Sequence, residues 1–150
     1  MVQKIIIFFV TASYVGYIKY APGTFGTIIA VPISIFLNKF LSSTTYLSLI
    51  IFLIFSSSYI CYYYEKITNK KDPSEIVLDE IIGFLIASFK IKIAFLPYFI
   101  SFILFRFFDI TKIFFIKRVE EKLPQGISVV IDDCLAGIYT LIIIKLIFWS

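Results

Sequence analysis

The stretch "VVIDDCLAG", Val129 to Gly137, sets two adjacent aspartates inside a run that is otherwise largely apolar from Ile127 to Ile144. A carboxylate deep in a membrane helix costs roughly 2.5–3.5 kcal/mol even on the lenient insertion scale, so Asp132 and Asp133 need a compensating partner if this run is such a helix. The rest of the chain says that it is. Of 150 residues, 60% are hydrophobic, against roughly 45–50% in a soluble globular domain. In hydrocarbon every backbone N–H and C=O must be satisfied internally, and the long runs show no strand alternation, so helices are the workable solution. The sequence predicts an all-α, polytopic membrane helix bundle forming a single domain over residues 1–150.

Five apolar runs stand out: Thr24–Leu41, Thr44–Tyr64, Ile76–Phe89, Ile93–Phe108 and Ile127–Phe148. At about 1.5 Å per residue the third and fourth are short for a hydrocarbon core of roughly 30 Å and suggest a hairpin with ends near the headgroups. Lys4 followed by "IIIFFV" reads as a retained, short amphipathic N-terminal helix, because no A-x-A cleavage site follows it. The segment "EKITNKKDPSE", Glu65 to Glu75, is the most polar and reads as an aqueous loop, with Asp72-Pro73 as a turn and Ser74 as a helix cap. In "DITKIFFIKRVEEKLPQG", apolar residues from Ile113 to Leu123 recur near helical spacing among charges, the pattern of a surface amphipathic helix.

The net charge of +4 comes from 14 Lys and Arg spread singly or in small groups between apolar runs. That spread fits positive-inside anchoring better than a nucleic-acid surface. If the runs alternate, ten cations, including Lys66, Lys70, Arg106 and Lys112, collect on one side, against Lys39, Lys90, Lys92 and Lys145 on the other. The first side is then cytoplasmic. Histidine is absent, and Cys61 and Cys134 have neither CxxC nor zinc-ligand spacing, so neither a disulfide nor a zinc site is expected.

The same alternation brings four polar clusters to the cytoplasmic face: "APGTFGT" (21–27), "VLDEIIG" (77–83), "FRFFDITK" (105–112) and "IDDCLAG" (131–137). "IVLDEIIG" and "VVIDDCLAG" echo each other, each placing a glycine three or four residues after an acidic pair. Beside a carboxylate this leaves bare backbone that a ligand or another helix can approach. Neighbours on a helix lie about 100° apart, so one acid of each pair should face the site while the other supports it.

Clustered carboxylates without His or Cys are hard oxygen ligands, suited to Mg²⁺ together with waters and a substrate phosphate. Arg106, one turn before Asp109, can fork onto phosphate oxygens, and Lys112 adds a point charge. Thr24 can cap the helix after Pro22 and Gly23, whose free N–H groups would cradle an anion. Without histidine a phosphohistidine mechanism is excluded. Neither cysteine is followed by an arginine six residues later, and no D-x-D pair is present, which leaves metal-assisted attack by water as the simplest hydrolytic option. Two other readings use the same acids: ion pairs that hold the bundle together, and a proton- or ion-coupled pathway.

At these four clusters the chain resembles the phosphatidylglycerophosphatase A family, through "GYIKYAPGTFGT" (16–27), "DPSEIVLDEIIG" (72–83), "FRFFDITK" and "IDDCLAG". The resemblance implies a Mg²⁺-dependent lipid phosphatase that converts phosphatidylglycerophosphate to phosphatidylglycerol in phospholipid biosynthesis. Its active site would face the cytoplasm from the bacterial inner membrane. A phosphatase for another phosphorylated glycerolipid is the closest alternative. Carried onto matching positions, the resemblance points to Asp79, Glu80, Asp109, Asp132 and Asp133 for metal binding. Asp109, Asp132 and Asp133 would serve catalysis, and Thr24, Arg106 and Lys112 would lie near the phosphate. The partners implied are the phosphorylated glycerolipid and membrane lipids, with no nucleic acid. The chain departs from the family's K-P-x-P-I pattern at Ile113 and Phe115, and from G-G-x-G-I-M at Gln125, Ser128, Val129 and Val130. It keeps every charged group named above.

Overall fold

The computed structural model describes residues 2–112 and 126–148. Its elements are α1 (Val2–Val10), a 3-10 turn (Val15–Tyr17), α2 (Pro22–Phe40), α3 (Ser43–Thr68), α4 (Leu78–Ala87), α5 (Phe95–Thr111) and α6 (Ile127–Ile147), with no strand among the described residues. The all-α expectation therefore holds. The amphipathic segment from Ile113 to Leu123 lies outside the described residues, as do Phe115 and Gln125.

Three helices, α2, α3 and α6, are long and apolar enough to cross a membrane. Their outward surface is greasy: Phe36, Phe52 and Phe55 are all more than half exposed. At about 1.5 Å per residue the ten-residue α4 reaches only about 15 Å and cannot cross by itself. It sits inside the bundle instead, with Ile81 through Ala87 all buried. Ile82, Leu85 and Ile86 join one apolar cluster with Tyr46, Ile50, Val130 and Cys134. Ile81, Phe84 and Ala87 join a second with Ala30, Phe105 and Ile144. A helix that is apolar all round is the expected solution for such a central position.

The contact between α4 and α6 is made by glycines. A methyl group on Gly137 would collide with the Gly83 carbonyl oxygen, and one on Gly83 would lie 2.7 Å from the Asp133 carbonyl oxygen. Small residues let helix backbones approach where lipid supplies no hydrophobic drive for association. Of the two uses left open for the bare backbone, approach by another helix is the one observed.

Local chemistry fixes the remaining ends. Ser42 caps α3 by accepting the Thr45 N–H at 3.1 Å. Helix α1 buries Val10 fully and packs Ile6 and Ile7 on the first cluster, and the Val77 N–H donates to the Val10 carbonyl at 3.0 Å.

Two local expectations are corrected. Helix α3 continues through Glu65 to Thr68, and Glu65 is only 3% exposed. Its carboxylate accepts the Asp72 N–H at 2.7 Å, so this acid clamps the following loop from within the protein. Ser74 is not a helix cap: α4 begins four residues later, after Val77, with no side-chain cap.

Candidate functional site

The four polar clusters meet at one end of the bundle around a cavity of about 300 Å³. Its walls come from the start of α2 (Ala21, Pro22, Gly23), the loop before α4 (Asp72, Pro73, Ser74, Ile76), the first turn of α4 (Asp79, Glu80), the end of α5 (Arg106, Asp109, Lys112) and the start of α6 (Val129, Asp132, Asp133).

Helix register explains the acidic part. Asp79 precedes Gly83 by one turn, and Asp133 precedes Gly137 by one turn. Both helices run away from the cavity, so the glycine crossing that joins α4 to α6 also sets Asp79 beside Asp133. Carboxylate oxygens of Asp79, Glu80 and Asp133 all lie within 4.8 Å of one another. In α6 Asp133 joins the cluster while Asp132 pairs with Lys112 at 2.6 Å, and both stand in the cavity wall. In α4 both acids converge on the cluster.

This crowding is expensive. Asp79 and Glu80 lie outside the three spans; burial pushes the Asp79 carboxyl up to about 6, against the lowering effect of its hydrogen bond with Glu80. Burial, reinforced by the neighbouring Asp79 charge, pushes Glu80 well up. The Glu80 Oε2 atom is also buried without a hydrogen-bond partner.

The cations are held against the acids. Arg106 pairs with Asp109 one turn on in α5, and its Nη1 lies 3.9 Å from Glu80. The buried Arg106 Nε has no hydrogen-bond partner. Lys112 ends α5 in the left-handed region, φ 41°, its N–H donating to the Phe108 carbonyl. From there its ammonium reaches Asp132 and lies 3.9 Å from Asp72.

Among the described residues, six carboxylates and two cations line the cavity. Ion pairs with Arg106 and Lys112 engage Glu80, Asp109, Asp132 and Asp72. A dianionic phosphate could enter such a site only with further positive charge. The donor set fits a hard divalent cation: three clustered carboxylates, one with an orphaned buried oxygen, and no sulfur or imidazole.

Not every expected residue lines the cavity. Thr24 is absent from the wall. Helix α2 starts at Pro22 with Ala21 as its N-cap, so Thr24 lies inside the first turn, donating its N–H to the Ala21 carbonyl at 3.0 Å, and does not cap the helix. Gly23 is the residue at the site instead; a side chain there would collide with Glu80 and come within 3.0 Å of Arg106. Conversely, Asp72 lines the cavity although its sequence context marks only a turn. Its place in the motif "DPSEIVLDEIIG" was the available signal. Among the departures from the family pattern, Ser128, Val129 and Val130 are all buried at the start of α6.

The comparisons with known proteins identify the family. The family model described as Phosphatidylglycerophosphatase A matches residues 8–148. A phosphatidylglycerophosphatase A of Haemophilus influenzae is 35% identical over 136 residues, covering 86% of this chain and 80% of its own. A protein of Bacteroides thetaiotaomicron, provisionally named a phosphatidylinositol-3-phosphatase, is 32% identical over 89% of this chain and 87% of its own. The Escherichia coli K12 phosphatidylglycerophosphatase A is 29% identical over 78% of this chain and 68% of its own. No solved structure matches. With nearly its whole length matched, the chain belongs to the phosphatidylglycerophosphatase A family of phosphatases.

Proposed function

We propose that this chain is a single-domain integral membrane enzyme that hydrolyses phosphatidylglycerophosphate to phosphatidylglycerol and inorganic phosphate, with Mg²⁺ as cofactor, in phospholipid biosynthesis. Its cavity opens at the cytoplasmic face of a bacterial inner membrane, the side to which the positive-inside count assigns the ten cations. The observation that carries the reading is the convergence of Asp79, Glu80 and Asp133 within 4.8 Å, beside Arg106 and Lys112, in a cavity sized for a phosphate group.

Asp79, Glu80 and Asp133 would hold the cation, which when bound supplies Lewis-acid polarisation of the phosphate and lowers the pKa of water. Arg106 offers its unpartnered Nε and Lys112 its ammonium to the phosphate oxygens, neutralising charge as it builds. Asp132 positions Lys112. Asp109, in the cavity wall and paired with Arg106, would take a proton from the attacking water. Gly23 leaves room for the Glu80 carboxylate and the Arg106 guanidinium, which a side chain there would displace.

The test is phosphate release by the purified protein from phosphatidylglycerophosphate, with Mg²⁺ or with excess EDTA. Phosphatidic acid and phosphatidylinositol 3-phosphate serve as comparison lipids, the latter because of the name of the Bacteroides relative. The expected result is Mg²⁺-dependent release favouring the first lipid. Full activity in EDTA would overturn the metal assignment, and preference for another lipid would overturn the substrate.

A further inference from the structure

A second cavity, an open groove of about 610 Å³, lies between α2 and α5. Ile28, Val31 and Ile35 form one wall, and Phe95, Phe99 and Phe102 the other. Its volume falls within the roughly 300–1,000 Å³ of small-molecule sites. Its surface is open, with Phe95 81% and Phe99 51% exposed.

The groove is continuous in register with the charged cavity. On α5, Phe95, Phe99, Phe102, Arg106 and Asp109 follow one another at steps of four and three, a single stripe of the helix. On α2, Ile28 and Ile35 lie seven residues apart on one face, and Ala21 and Pro22 at the start of that helix stand in the cavity wall. A ligand anchored at Arg106 thus meets this groove by running straight along the α2–α5 seam. From Arg106 to Phe95 the helix rises about 16 Å at 1.5 Å per residue, about half of a hydrocarbon core of roughly 30 Å. That is the depth of one leaflet. Tyr98 also lines the groove, and its hydroxyl accepts a hydrogen bond from Asn38 at 2.8 Å.

We infer that the α2–α5 groove holds an acyl chain of the lipid whose phosphate occupies the charged cavity. The inference rests on the lipid-phosphatase reading above. An acyl chain gains little by leaving surrounding lipid for an apolar groove, since both are equally apolar. The groove therefore orients the substrate and contributes little affinity, and it distinguishes a diacyl lipid from a soluble phosphate monoester through rate.

Two measurements test it. In the first, phosphatidylglycerophosphate carrying a mid-chain diazirine is photolysed with the inactive Asp109→Asn variant in nanodiscs with Mg²⁺, so that the probe keeps its phosphate, beside phosphatidylglycerol with the same probe. Adducts concentrated on Val31, Phe99 and Phe102 with the phosphorylated lipid, several-fold above the other, are expected. Equal labelling by both lipids would mean ordinary lipid contact and overturn the assignment. In the second, Val31→Trp, with Ile35→Trp as an independent variant, should lower the ratio of kcat/KM for dipalmitoyl over dibutanoyl substrate by about tenfold to 10²-fold, the upper end being the cost of a misplacement of about 1 Å. An unchanged ratio in folded protein would also overturn it. If Val31→Trp instead converts a dimer to a monomer by light scattering, the groove belongs to a second copy of the chain. Should the wild-type protein release no phosphate from any lipid, the proposed reaction fails, while the labelling still decides the groove.

Discussion

The two ends of this bundle treat buried polar groups in opposite ways. At the end away from the cavity, Asn38 donates to the Ser88 carbonyl and to the Tyr98 hydroxyl, both at 2.8 Å, and accepts the Lys90 N–H at 2.8 Å. The Lys90 ammonium in turn donates to the Asn38 and Leu41 carbonyls, where a cation offsets the negative end of α2. Each of these donors and acceptors has a partner there. At the cavity end, six carboxylates and two cations line the wall among the described residues, and the Glu80 Oε2 and Arg106 Nε atoms are buried without hydrogen-bond partners. A matched network stabilises a fold. An unmatched one keeps a site ready for a charged ligand, at a cost in stability.

The largest effect should come from breaking the unmatched end. Asp133→Asn removes one member of the carboxylate cluster and should lower phosphate release by more than about 10²-fold, as loss of a principal electrostatic group does. In EDTA the same variant should melt no lower than wild type, because one of several crowded like charges has gone. A lower melting temperature in EDTA would show that Asp133 is a matched structural acid, and the contrast between the two ends would collapse.

Next comes the crossing that brings the cluster together. Gly137→Ala pushes a methyl group into the Gly83 carbonyl. It should cost about 1–3 kcal/mol of stability through overpacking and on the order of tenfold or more in kcat, as Asp79 and Asp133 lose register. Unchanged kcat in this variant would sever the link between helix packing and carboxylate geometry. Lys112→Met acts more mildly. It removes a phosphate partner while Arg106 remains, and KM should rise about tenfold, the value of one charge-assisted hydrogen bond, with a smaller change in kcat.

The contrast also sets what could be read in advance. The five helices from α2 to α6 and the meeting of four clusters follow from apolar run length and alternation, both of which are local. The Asp132–Lys112 pair depends on Lys112 adopting a left-handed conformation at the end of α5, which no composition rule foretells. Glu65 misled because a charged residue beside lysines looks like the edge of a loop. Its burial is set by Asp72, seven residues later, whose N–H it accepts. Asn38 carried the plainest signal that went unused, a lone amide in an apolar helix. Such a side chain needs partners, and its partners came from Ser88, Lys90 and Tyr98, at least 50 residues away.

The smallest expected effect on activity is at that residue, and it is the most demanding test of the comparison. Asn38→Ala strips hydrogen bonds from the Ser88 carbonyl, the Lys90 N–H and the Tyr98 hydroxyl together. Leaving buried groups unsatisfied costs about 1–3 kcal/mol each before relaxation or water entry recovers part of it. Thermal unfolding in detergent should therefore fall clearly, while kcat per folded molecule on a short-chain substrate stays within about twofold, because no cavity residue loses a partner. Tyr98 ties this network to the floor of the α2–α5 groove, so a modest loss confined to long-chain substrate would sharpen the picture, marking the point at which the structural end touches the lipid path. A large loss on short- and long-chain substrates alike would mean that the matched end is coupled to the cavity through α4, and that the two halves of the bundle do not divide stability from chemistry.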